Sequence, residues 1–347
     1  MGSYRIFISY SHEDRGLVET VVGILEENGL RPMWDAGFTW GLGFHEQIKD
    51  FIAHAHVFIP IITKTSSNRG WVHQEIGYAL ALNIPILPLT VGEVPPGQML
   101  QHLQSISWDG NDIKGLKIQL TKATFDSLVK IIGRNSRALF ECAEHHEERT
   151  SMIIEYATKV RNMNAYGHVR LKGALSSFQI PDKPCFHPAW KERYNYEPNR
   201  YHCQQLRRER KVLEEHAREK GCSLIIDPYV DYRNYGVSAR RARLETLLEF
   251  LESIDAEKIR VAIHKDMPKG QNLTIVGDWF AAEAVSVAVG GGYQQTIFTR
   301  HAPTIREQIK IFDEELEFVL KSNGIDVDSS RDEAIACIKK ILEGIPK

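Results

Sequence analysis

Between Tyr4 and Trp108 short apolar runs alternate with segments of helical period, the pattern of parallel strands each followed by a covering helix. Arg5-Ile-Phe-Ile-Ser-Tyr10 reads as the first strand, and Ser11-His-Glu-Asp14 as a polar turn suited to a helix N-terminus. Leu17, Val18, Val21, Val22, Ile24 and Leu25 form the stripe of a helix that Asn28-Gly29 stops. Arg31-Pro-Met-Trp34, Val57–Ile62, Ile84–Leu89 and Ser105–Trp108 supply four further strands. Pro60 sits awkwardly in the third, because proline cannot donate to a central ladder. The loop Ala36–Gly43 holds three glycines and is expected to be mobile. A helix with Phe44, Ile48, Phe51, Ile52 and Ala55 on one side follows it. Thr63–Arg69 offers several N-caps for a helix bearing Trp71 and Glu75. In such sheets ligands sit at strand carboxyl ends, so the loops after Tyr10, Trp34 and Ile62 border one crevice.

After Trp108 the periodicity loosens. Phe125–Ile132 is helical, and the charged run Glu141-Cys-Ala-Glu-His-His-Glu-Glu-Arg149 reads as part of a solvated linker over 113–150. Its histidines and glutamates do not suggest a metal, since consecutive helical residues face different ways. Alternation resumes in Ser223–Tyr229, Ile259–His264, Leu273–Gly277 and Gln295–Thr299, read as strands. Tyr201–Lys220, Arg240–Leu251, Thr304–Leu320 and Arg331–Leu342 read as helices. The fold class is α/β twice over: a first domain at 1–112 and a second α/β domain at 151–347, expected to sense a signal or to oligomerise.

The chain of 347 residues suits two cores rather than one. Its net charge of −2 gives no reason to expect a polyanionic partner, so nucleic acid is not expected. Five scattered cysteines argue against a disulfide framework and for a reducing cytoplasm. The apolar runs are strand-length, so no membrane span is expected, and the N-terminus lacks the apolar core of a signal peptide.

Against that background Trp71 and Glu75 stand out. Four residues apart on a helix, an indole and a carboxylate line one wall of any cleft that face borders. A carboxylate can stabilise the oxocarbenium-like centre formed when an N-glycosidic bond to a pyridinium breaks, while holding the ribose hydroxyls. The leaving group is already cationic, so a second carboxyl acting as general acid is unnecessary.

Phe7-Ile-Ser-Tyr10, Trp34-Asp35 before the glycine loop, Gly43-Phe-His-Glu46 with Ile48, and Trp71-x-x-x-Glu75 with Ala79 occur in order over about 1–112. Together they resemble the Toll/interleukin-1 receptor (TIR) domain family. The resemblance implies a flavodoxin-like fold with a five-stranded parallel sheet. It also implies, as in the bacterial NAD-cleaving defence type, hydrolysis or cyclisation of NAD+ at the nicotinamide–ribose bond. NAD+ is then a substrate, and no cofactor or metal is expected. Glu75 matches the family's essential glutamate, and Phe7, Ser9, Tyr10, Ser11, Asp35, Trp40 and Trp71 fall to substrate binding. Gly37, Gly41 and Gly43 match the loop through which TIR domains self-associate and complete one another's sites. The further expectation is antiviral immunity, triggered by assembly through the second domain on an unidentified ligand or protein. The alternative is a non-catalytic scaffold recruiting other TIR proteins, with Trp40 and Trp71 as interface anchors.

The second domain offers less. Cys185-x-His187 and His202-Cys203 lack the spacers of a zinc site. Arg207-Arg-Glu-Arg-Lys211 and Arg240-Arg-Ala-Arg243 are interleaved with acids and read as solvated faces. His264-Lys265-Asp266 has a faint, degenerate resemblance to a phospholipase D-like motif but lacks its His-x-Lys order. Asp227-Pro-Tyr229, Gly277-Asp-Trp279 and Gly290–Tyr293 flank strands and read as turns or ligand loops.

Overall fold

A computed structural model describes residues 4–34, 44–97, 99–135, 140–144, 146–173, 178, 200–229, 236–265, 267, 272–286 and 294–345. The chain divides into two compact units, Met1–Leu139 and Phe140–Lys347. Asp35, Gly37, Trp40, Gly41 and Gly43 lie outside the described residues, as do Cys185, His187, Asp266 and Gly290–Tyr293.

In the first unit the strands β1 (Arg5–Ser9), β2 (Arg31–Met33), β3 (Val57–Ile62), β4 (Leu89–Val91) and β5 (Ile106–Trp108) form one sheet in the order β2-β1-β3-β4-β5. Every pairing is parallel. Helices α1 (Arg15–Glu27), α2 (Phe44–Ala53), α3 (Gly70–Ala81), α4 (Ile113–Gln119) and α5 (Lys122–Asn135) surround it. The period of two along β1 decides which face each side chain joins. Ile6, Ile8 and Tyr10 enter a core with Val18, Val21, Leu25, Leu116, Leu120, Phe125 and Val129. Phe7 points the other way, stacked on Phe58 at 5.7 Å and tilted against Phe51 of α2 at 6.5 Å. Helix α1 stops where expected: Asn28 donates through Nδ2 to the Ile24 carbonyl and Gly29 takes φ +69°.

Two sequence expectations need correction here. The fourth strand is Leu89–Val91 rather than Ile84–Leu89, preceded by an isolated bridge between Phe58 and Ile86. Pro60 on one side and Pro88 on the other lack the N–H that would carry the ladder between those points. The segment 113–150 is also not a linker. Leu116, Leu120, Phe125 and Val129 complete the first core, and Phe140–Ala143 is an edge strand of the second sheet.

The second unit holds β6 (Phe140–Ala143), β7 (Val169–Gly173), β8 (Cys222–Ile226), β9 (Ile259–Ile263), β10 (Leu273–Val276), β11 (Phe280–Ser286) and β12 (Gln294–Thr299). Their order is β6-β12-β11-β10-β7-β8-β9, with β7, β8 and β9 parallel and the remaining pairs antiparallel. Its helices are α6 (His146–Asn162), α7 (Arg200–Lys220), α8 (Gly236–Glu252), α9 (Ala302–Ser322) and α10 (Ser330–Glu343). Ile225 and Ala262, cross-strand partners, pack under Phe312, Leu316, Val319 and Leu320 of α9. Gly277–Trp279 is a turn: Gly277 takes φ +55°, Trp279 N–H donates to the Val276 carbonyl, and the indole is buried.

Candidate functional site

The candidate site lies where β1 and β3 end. Ser9 closes β1 on the same face as Phe7, two residues below it, and is paired across the ladder with Pro60. The chain then leaves through Ser11 into a single turn, His12–Asp14. Ser11 is buried, and its carbonyl accepts from Asp14 N–H at 2.7 Å; its hydroxyl makes no cap bond.

After β3, Thr63 and Ser66 lock the turn into a reciprocal knot. Thr63 N–H donates to Ser66 Oγ at 2.8 Å, Ser66 N–H donates to Thr63 Oγ1 at 3.0 Å, and Ser66 Oγ donates to the Ile61 carbonyl at 2.8 Å. Thr63 Oγ1 in turn donates to Asp14 Oδ2 at 2.7 Å, joining the two loops. These hydroxyls, expected to cap the next helix, instead hold the strand-to-helix turn. Arg69 stands at the N-cap of α3 with no side-chain cap bond, and its guanidinium pairs with Glu13 on the opposite loop.

Helix α3 brings Trp71 and Glu75 to this site. Their spacing places them on one face, with Trp71 half-buried and Glu75 buried at 7 % exposure. The Trp71 ring lies 6.0 Å from the ring of exposed His12, which also lies 6.0 Å from the Tyr10 ring. Burial pushes the Glu75 carboxyl up to about 7, and the neighbouring Ser9 hydroxyl partly offsets that rise. Neither Ser9 Oγ nor Glu75 Oε2 closes a well-formed hydrogen bond among the described residues. A desolvated carboxylate oxygen and a hydroxyl are thus left without partners, groups that a ligand's own donors and acceptors would satisfy.

Of the residues picked from sequence, Ser9, Trp71 and Glu75 come together. Phe7 lies beneath Ser9 in the floor, with its ring in aromatic packing rather than at the opening. Tyr10 is buried on the opposite face, in the core with α1, and its ring approaches Trp34 at 6.3 Å. The Tyr10 ring is thus a core side chain, as strand alternation requires, with its centre 6.0 Å from that of the His12 ring. His12 falls in the Ser9–Asp14 stretch that the family resemblance gives to the nucleotide pocket, whereas Thr63 and Ser66 border the site and were not singled out. Their signal lay in the polar turn that follows β3, which marks a loop but not which hydroxyl in it does the work.

In the second unit the basic clusters have partners. Arg210 pairs with Glu214 and Glu249, and Arg241 with Glu245. Arg149 and Glu209 form a buried ion pair at 3.1 Å. No group of His, Cys, Asp or Glu able to hold a metal ion occurs among the described residues. Among the same residues no helix is long and apolar enough to cross a membrane.

Residues 6–120 match the family model described as TIR domain. A search of curated proteins returned no match. Among solved structures, the TIR domain of the Toll-related receptor TRR-2 from Hydra magnipapillata is 21% identical, with 38% of this chain and 99% of that chain covered and a TM-score of 0.31. The CMP N-glycosidase BcmB of Clostridium botulinum is 21% identical over 33% of this chain and 97% of its own, with a TM-score of 0.27. TrmBL2, an archaeal chromatin protein, is 9% identical over 59% of this chain and 62% of its own, with a TM-score of 0.31. With its parallel five-stranded sheet in the order β2-β1-β3-β4-β5, the segment 6–120 of this chain is a TIR domain.

Proposed function

We propose that the TIR domain cleaves NAD+ at the nicotinamide–ribose bond, with Glu75 as the catalytic carboxylate. The observation that carries this reading is the Glu75 carboxyl itself, 7 % exposed, raised to about 7, and with Oε2 unpartnered beside Ser9 and Trp71. A desolvated carboxylate costs stability, and titratable groups perturbed in this way cluster at functional sites. In the proposed site the ionised carboxylate accepts hydrogen bonds from the ribose hydroxyls and stabilises the positive charge that develops at the anomeric carbon. Nicotinamide leaves as a neutral molecule, so the step needs no proton donor. Trp71, steadied by the His12 ring, offers its indole to the flat pyridinium. The ribosyl centre is then captured by water, giving ADP-ribose, or by a nucleophile of the same molecule, giving a cyclic product, and in either case the attacking group's proton is released to solvent.

Turnover would follow self-association of TIR domains. In that reading the second unit is the sensor, the protein acts in the cytoplasm, and NAD+ depletion serves antiviral defence.

The test is nicotinamide release from NAD+, followed by chromatography, for wild type, Glu75→Gln and Glu75→Ala. The assay is run at concentrations where the wild type self-associates. Loss of an electrostatic stabiliser of this kind lowers turnover by about a hundred- to a thousandfold. Equal release from all three proteins would remove Glu75 from the chemistry.

A further inference from the structure

Helix α9 carries two large apolar side chains in solvent: Ile311 is 54% exposed and Phe318 is 70% exposed. Seven residues, two helical turns, separate them, so they share one stripe. The opposite stripe, with Ile305, Phe312, Leu316 and Leu320, is buried in the second unit. Exposed apolar pairs on a helix are unremarkable singly, but here the charges beside them have an order. Along the exposed stripe run Glu307, Lys310, Glu314, Glu317 and Lys321, negative, positive, negative, negative, positive.

That order is complementary to its own reverse. If two copies of α9 lie antiparallel about a two-fold axis beside Glu314, Ile311 of each copy meets Phe318 of the other. Glu307 then faces Lys321, and Lys310 faces Glu317, each pair occurring twice by symmetry. The one like-charged juxtaposition is Glu314 against itself on the axis, and there Lys310 stands 3.9 Å from Glu314 within each chain. A parallel pairing would set every charge against its own kind. We infer that α9 is an isologous, antiparallel contact surface between two copies of this chain.

The apolar part is one isoleucine and one phenylalanine per copy, and the stripe from Glu307 to Lys321 is about 22 Å long. A single helix pair of this length buries less than the roughly 1,200 Å² at which stable interfaces begin. The contact therefore belongs to the transient class, with a dissociation constant on the order of micromolar. It stands whether or not the TIR domain cleaves NAD+, since its readout is mass alone.

Analytical ultracentrifugation of the full chain across that concentration range tests it, with circular dichroism confirming that each variant is folded. Wild type is expected to shift from monomer to dimer, and Phe318→Glu to weaken dimerisation at least tenfold. Glu307→Lys and Lys321→Glu alone each weaken it about three- to tenfold, and together they restore it, because the swapped charges again face opposites. A wild type that stays monomeric would overturn the inference. So would a dimer indifferent to Phe318→Glu, or a double variant no better than the single ones, either of which places assembly on another surface.

Discussion

Replacing Glu75 with Gln should stabilise the first unit, and by an amount that depends on pH. The side chain is buried, and its carboxyl is raised from an ordinary 4.5 to about 7, chiefly by desolvation. Each pH unit of difference between folded and unfolded proton affinity is worth 1.36 kcal/mol, so ionising Glu75 in the folded unit costs about 3 kcal/mol. The folded protein holds this proton more tightly than the unfolded chain does. The cost is therefore absent below the unfolded value of 4.5, grows as pH rises, and is complete above about 7. Gln fills the same space without titrating. The gap between variant and wild type should thus widen by about 3 kcal/mol from acid to mildly alkaline solution. For a unit of this size that is roughly 10 °C in Tm. Calorimetry at about pH 5, 6, 7 and 8 measures it on the transition that the substitution moves. A gap that stays constant across this range, or a variant less stable than wild type at the alkaline end, would show that Glu75 is not the desolvated acid described here.

The same ionisation should govern turnover. If the carboxylate form is the active one, kcat/KM for NAD+ rises about tenfold per pH unit below about 7 and is level above it, a profile that stopped-flow or chromatographic rates will trace. Thr63→Ala leaves two loop N–H groups and Asp14 without their hydroxyl partner, and should cost about 1–3 kcal/mol in the first unit by urea unfolding. Thr63→Ser, which keeps the hydroxyl, should cost less. In the second unit Gly221 takes φ +81°, and a Cβ there would come within 2.6 Å of the Lys258 carbonyl oxygen. Gly221→Ala should therefore lower the stability of that unit by about 1–3 kcal/mol and leave the first unit's transition in place.

How much of this was legible in the sequence varies with the range of the interaction that fixes each element. β1, β3 and the three helices of the first 112 residues follow from local period, because an apolar run of five or six residues needs no partner to be recognised, whereas the fourth strand starts five residues later than the run Ile84–Leu89 suggests. Glu75 could be placed beside Trp71 for the same reason. Its burial could not, since that depends on Ser9 and the turns after β1 and β3 closing around it. The strands missed in the second unit show the same limit. Along β7, Arg170 and Lys172 occupy alternate positions that read as an exposed face, yet each is ion-paired from α9, to Asp313 at 2.8 Å and Glu315 at 2.6 Å. On β6, Glu141 sits in a run of charges that reads as a linker, but its carboxylate accepts from Tyr156 and Arg300 and anchors an edge strand. Alternation reports which side chains share a face, but only the folded chain reports what covers it. The two faces of β1 carry the same lesson into the site. Sequence could put Ser9 and Tyr10 side by side in one segment, whereas the pleat sends the Ser9 side chain toward Glu75 and the Tyr10 ring into the core with α1.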